Sequence, residues 1–159
     1  DWLTQQCWLI SVNTRPQWAS VWSSILTSHP ELRLIISHLG LPPKADTAPD
    51  DDQAASALSP ITRLADHSNA HVKLSAFYAI SDPGHDYPHR AALPYVNALR
   101  GAFGIERLLW GSDFSPCLDW VTFPQSCDTL AVMTDFSNAD LARIHEQNLM
   151  ALLEAATAR

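Results

Sequence analysis

The sequence predicts an α/β domain built from parallel strand–helix units, and three observations carry that prediction. Four short apolar runs, each seven residues long, alternate with stretches of helical periodicity. The long irregular segments follow these runs, at the carboxyl ends of strands, where α/β proteins place their chemistry. Three of the four runs end on a polar or ionisable residue: Asn13, His38 and Asp113.

Taken in order, the first strand is expected over "CWLISVN", Cys7 to Asn13. A helix follows from about Gln17 to Ser28, with Trp18, Val21, Trp22, Ile25 and Leu26 on one face. The second strand is "LRLIISH", Leu32 to His38, rich in β-branched residues. It leads through Gly40 into the loop "LPPKADTAPDDD". Ser59 and Pro60 have the form of an N-cap and first helical residue, which places a helix from there to about His67. The third strand is "HVKLSAF", His71 to Phe77, followed by the loop "ISDPGHDYP". A helix from about His89 to Phe103 ends at Gly104. "RLLWGSD", Arg107 to Asp113, is the fourth strand. In the tail, Ser137 and Asp140 have capping-box spacing. Leu141, Ile144, Asn148, Leu149, Leu152 and Leu153 then form a helical stripe suited to the outside of a sheet.

Composition narrows the partners. The chain has 159 residues, enough for one domain with a core, and a formal net charge of -7. With no block of Lys or Arg, neither a nucleic acid nor an anionic membrane is expected as a partner, and no apolar run is long enough to span a bilayer. Part of the acidity is one cluster, "DTAPDDD", which reads as a solvated loop. Cys7, Cys117 and Cys127 are odd in number and lack CxxC spacing, which fits a reducing cytosol. The first residues have no charged leader or cleavage site and read as the interior of a longer chain.

The candidate chemistry lies at the strand ends. A histidine or an aspartate in a strand-to-loop turn is commonplace by itself. A pair at equivalent ends of two strands, His38 and Asp113, is less expected by chance. A neutral imidazole and a carboxylate can share a divalent metal, or hold and deprotonate a water. Strand alternation puts Leu34 and Ile36 on the face of His38, and Leu109 and Gly111 on the face of Asp113. Lys73 interrupts an apolar strand. It either snorkels to water on the helical side or points inward with Ser75. The other histidines, His29, His67, His71, His85, His89 and His145, are expected in helices or loops without a shared role.

"LIISHLGLPP", "HVKLSAFYAIS", "GIERLLWGSDFSP" and "SNADLARIHEQNLMALL" together resemble the last half of the amidohydrolase-related metal-dependent hydrolases, a TIM-barrel family that includes sugar lactonases, pyrone dicarboxylate lactonase and decarboxylases. The resemblance runs from about Trp8 to the end. It implies strands five to eight of a (β/α)8 barrel, with the amino-terminal half absent, since such a barrel takes about 250 residues. It also implies a hydrolase acting on a lactone or a related ester or amide. In that reading Asp113 is the general base or a metal ligand, and His38 binds metal or polarises the carbonyl. Lys73 and Ser75 fall at substrate-binding positions. The implied cofactor is one divalent metal, zinc, unless the enzyme works without one. A decarboxylase on the same scaffold and a non-catalytic remnant are the rival readings. The family's strand-one His-x-His is found nowhere in the sequence, Ser115 displaces the strand-eight proline, and Asn13 stands where a histidine would end strand five. The open edges of a half-barrel imply self-association, and the fragment alone is expected to be inactive.

Overall fold

In the computed structural model, which describes Trp2 and residues 9–157, four strands form one sheet: β1 (Leu9–Val12), β2 (Arg33–Ile36), β3 (Ala70–Leu74) and β4 (Leu108–Trp110). They lie side by side in chain order and every pairing is parallel. The register runs Ser11–Ile35–His71 across the first three strands and Val12–Ile36–Val72–Leu108 across all four. The expected first strand begins in residues outside those described, as does Cys7.

One face of the sheet is covered by helices. Leu34, Ile36, Ala70, Val72, Leu74 and Leu108 are fully buried in a single core. They share it with Leu26 of α1 (Ala19–Ser28), Leu58 and Ile61 of α2 (Asp51–Thr62), and Val96 and Leu99 of α4 (Leu93–Phe103). The opposite face carries Ser11, Ile35, Ser37, His71, Lys73, Ser75, Leu109 and Gly111. Its apolar part is small: Ile35, Leu109 and Leu152, with Leu9 alongside.

This division corrects one expectation. Leu34 and Ile36 face the helices rather than sharing the face of His38. Alternation cannot be counted back from His38, because β2 stops at Ile36 and His38 takes φ 55°, a left-handed turn that re-aims its side chain. Leu109 and Gly111 do lie on the inner face.

Several helices start elsewhere than their sequence signals suggested. In α1 the buried residues are Ala19 and Leu26, with Trp22 donating to Thr14 Oγ1 at 3.2 Å; Trp18 and Val21 are exposed. The helix expected to start at Ser59–Pro60 begins nine residues earlier. Asp50 caps α2 by accepting from the Gln53 amide at 2.7 Å, and Gln53 Oε1 accepts the Asp50 amide at 3.1 Å. Asp51 and Asp52 complement the helix dipole, so the acidic run is a helix start and not only a solvated loop. Pro60 sits in the last turn, after which the chain tightens into a 3-10 segment over Arg63–Asp66.

β3 ends at Leu74, and a short helix α3 (Phe77–Ile80) takes the place of the expected strand end. Gly104 terminates α4 with φ 68°, as its position predicts. An unanticipated helix α5 (Phe123–Met133) follows β4, with Thr122 and Gln125 as its capping box. The Ser137–Asp140 box opens the tail helix, which runs as α6 (Asn138–Ala142), a π turn over Arg143–Gln147, and α7 (Asn148–Thr157). Ile144, Asn148 and Leu152 are buried, whereas Leu149 and Leu153 are exposed. Asn148 Nδ2 donates to the carbonyls of Ile105 and Leu108, both at 2.8 Å, and clamps this helix to the start of β4. Among the described residues, no helix is long and apolar enough to cross a membrane.

Candidate active site

The carboxyl ends of β2, β3 and β4 break into left-handed backbone at non-glycine residues: His38 (φ 55°), Ala76 (φ 58°) and Asp113 (φ 51°). Such conformations are uncommon, and their clustering at one end of a sheet marks a place where local strain is tolerated. The turns bring together the side chains that the sequence singled out.

His38 and Ser75 meet directly. Ser75 Oγ lies 2.9 Å from His38 Nδ1 and accepts the His38 amide at 3.3 Å. Burial lowers the His38 pKa; Asp113 opposes that shift and Lys73 adds to it. The imidazole is therefore neutral at pH 7. Ser75 Oγ can donate its proton to Nδ1, and in that tautomer the ring proton sits on Nε2.

Lys73 and Ser75 share the inner face, which decides between the two orientations open to Lys73. Its Nζ donates to Ser11 Oγ at 3.2 Å and Ser37 Oγ at 3.3 Å, and the two hydroxyls are 3.1 Å apart. Burial lowers its pKa, with Asp113 pulling the other way. Gly111 makes room for this side chain: a Cβ there would lie 2.7 Å from Lys73 Cδ.

Asp113 receives the Tyr78 hydroxyl on Oδ2 at 2.5 Å, a short charge-assisted bond that leaves Oδ1 for another partner. Burial, and then this bond, push the Tyr78 hydroxyl well above its ordinary pKa, so it stays a donor. Tyr78 also stacks on Trp120, with ring centroids 6.2 Å apart. Neither aromatic residue was singled out in the sequence. The available signal was an aromatic residue three positions after Ser75, just beyond the Lys-x-Ser strand.

Asn13 and the histidines expected to have no shared role lie outside this group. Asn13 is exposed at the end of β1. His67 bonds Ser23 Oγ at 2.9 Å on the helical side, and His145 stacks on Trp110. His71, which opens the expected third strand, lies in β3 on the inner face, near the amino end, and burial, with Arg107 beside it, lowers its pKa to about 4.

His38 and Asp113 supply at most two metal donors, each with one atom already engaged, and no cluster of three His, Cys, Asp or Glu occurs among the described residues. A catalytic zinc takes about three protein ligands, so these residues do not by themselves make such a site.

Comparison with known proteins agrees with this architecture. A Burkholderia ambifaria L-fucono-1,5-lactonase is 36% identical over 86 residues, 54% of this chain and 27% of that protein. A zinc-bound amidohydrolase from Burkholderia multivorans superposes with a TM-score of 0.78 at 19% identity, over 95% of this chain and 54% of its own. A putative 2-pyrone-4,6-dicarboxylic acid hydrolase from Pseudomonas putida gives 0.74 at 19% identity, over 96% and 54%. The chain thus spans about half the length of these solved structures, and its four parallel units form part of a TIM barrel. Residues 15–154 match the amidohydrolase family model, and the chain belongs to the amidohydrolase family.

Proposed function

We propose that this chain carries strands five to eight and the acid–base machinery of a barrel hydrolase that opens a lactone or a related ester or amide. The observation that carries the reading is Asp113, held through one oxygen by Tyr78 and within electrostatic range of a neutral His38. The lactonase relative supports the substrate class.

In the proposed reaction Asp113 Oδ1 takes a proton from a water, and the resulting hydroxide adds to the carbonyl carbon. His38, with its proton on Nε2, donates to the carbonyl oxygen as negative charge develops there, and the Lys73 ammonium stabilises the same charge at longer range. Collapse of the tetrahedral intermediate breaks the bond to the ring oxygen, which recovers the proton from Asp113. Tyr78 keeps the carboxylate in one orientation throughout.

In a full-length barrel that carries this half, a panel of sugar 1,5-lactones, assayed for hydrolysis alongside aromatic carboxylic acids assayed for CO2 release, tests the reading. Lactone opening that drops about 10²–10⁴-fold in Asp113→Asn, with the fold intact, is the expected result. Turnover surviving in a folded Asn variant removes Asp113 from the chemistry, and CO2 release in place of ring opening selects the decarboxylase.

We also propose that the isolated chain self-associates. Among the described residues β1 pairs only with β2 and β4 only with β3, and unpaired strand edges template association. Light scattering checks this, and a stable monomer refutes it.

A further inference from the structure

On the helical side of the sheet, a groove of about 350 Å³ lies between α1 and the end of α2, within the size range of small-molecule sites. Pro16, Ala19, Pro60 and Leu64 give it apolar walls. Ser23 lines it too, and its hydroxyl is used differently from those of its neighbours. Ser24 Oγ donates to the Ser20 carbonyl at 3.1 Å and Thr27 Oγ1 to the Ser23 carbonyl at 2.9 Å, the usual return of a helical hydroxyl to the backbone four residues earlier. Ser23 Oγ instead lies 2.9 Å from His67 Nε2, across 44 residues of sequence. Both residues are half-buried, so the pair is partly shielded from water yet open to a small molecule.

A hydroxyl and an imidazole nitrogen at that distance are the two parts of an activated nucleophile. With the ring proton on Nδ1, Nε2 accepts the serine proton as the oxygen attacks. A third group belongs to the same place. Arg63 lines the groove, is exposed, and has no ion pair or side-chain hydrogen bond among the described residues. A free guanidinium there offers donors to an oxygen that gains charge during the attack. Neither Asp113 nor His38 lines this groove, so its chemistry is separate from theirs.

We propose that Ser23 is a second nucleophile, activated by His67, and that the groove takes small aryl esters. Ser23 Oγ adds to the ester carbonyl carbon while its proton passes to His67 Nε2, and Arg63 stabilises the carbonyl oxygen as it becomes negative. The intermediate collapses by breaking the bond to the phenolic oxygen, which leaves with the proton from His67. A water deprotonated by His67 then cleaves the acyl-serine, and the proton returns to Ser23 Oγ. The net change is ester and water to acid and phenol. The inference goes beyond the lactone-hydrolase reading and does not rest on it.

The test uses the full 159-residue chain and two probes. One is an alkyl fluorophosphonate, which phosphonylates an activated serine with loss of fluoride; the other is 4-nitrophenyl acetate, which releases a coloured phenol. A single phosphonyl group per chain is expected, located on Ser23 by peptide mass spectrometry and lost in Ser23→Ala. His67→Gln keeps a hydrogen-bonding side chain but no base. It should slow both the labelling and the nitrophenol release about 10²-fold with the circular dichroism spectrum unchanged. Arg63→Gln should slow them about tenfold, and Arg63→Lys should recover part of that loss. Label found only on other residues, Ser23 labelling indifferent to His67→Gln in a folded protein, or nitrophenol release undiminished in Ser23→Ala would each overturn the proposal.

Discussion

His38 and His71 both have lowered pKa values with burial as the first cause, yet they stand at opposite ends of the sheet in different company. Around His71, at the amino end, the polar groups are tied to backbone. Arg107 donates to the carbonyls of Phe103 (2.9 Å), Ala65 (2.8 Å) and His67 (3.1 Å), and Arg33 to that of Ala155 (2.9 Å). Around His38, at the carboxyl end, the polar groups are tied to other side chains: imidazole to Ser75, ammonium to Ser11 and Ser37, carboxylate to Tyr78. Backbone is also left-handed at that end. Charged groups bonded to main chain hold helices and strands in register. At the carboxyl end His38 and Asp113 each keep one polar atom that these side-chain bonds do not use. The contrast follows the general division of barrel enzymes into a stability end and a catalytic end.

The contrast can be broken most decisively at His38. In an active form of the enzyme, His38→Ala is expected to cut kcat/KM about 10²–10⁴-fold with little change in unfolding midpoint, because the imidazole bonds a side chain and not the fold. A large loss of stability with activity per folded molecule preserved would put His38 in the same class as His71.

Acid tests the other end. The folded state keeps His71 neutral down to about pH 4, whereas the unfolded chain takes up the proton near 6.5. The unfolded state therefore binds more protons between those values. The stabilisation is complete above about pH 6.5 and is lost as pH falls toward 4, an effect on the order of 3 kcal/mol. From pH 7 to 4.5 the urea midpoint of the parent should fall relative to that of His71→Phe; parallel curves would deny His71 this role.

Arg107→Met is expected to cost about 2 kcal/mol, since it leaves several backbone carbonyls without their charged donor. Measured per folded molecule, activity should be unchanged, and a fall in kcat would show that the amino end is not purely structural. The smallest effect is expected for Tyr78→Phe. Removing one hydrogen bond to Asp113 should lower kcat by about tenfold while stability shifts by no more than about 1 kcal/mol. Unaltered kcat would mean that Asp113 is oriented by other groups.

Much of the fold was legible locally. β-branched runs, the Gly104 stop and the Ser137–Asp140 box depend on residues within a few positions of each other, so near-neighbour physics places them. That His38 and Asp113 lie at the same end of the sheet was legible because each follows a strand of one parallel series, and that Lys73 and Ser75 share a face because strand alternation joins them. The Asp50–Gln53 and Thr122–Gln125 boxes were equally local, and Ser59–Pro60 and the aspartate run drew the reading away from the first.

What tertiary structure alone decided is facing and partnership. Alternation says that Leu34 and Ile36 share a face, but which face is inside depends on where α1, α2 and α4 pack. A left-handed residue such as His38 breaks the count at the strand end, where the count was needed. Tyr78 reaches Asp113 across 35 residues of sequence, and Lys73 reaches Ser11 across 62. Contacts of that span leave no periodic trace in a sequence, because they are set by which strands become neighbours and not by the spacing of residues along any one of them.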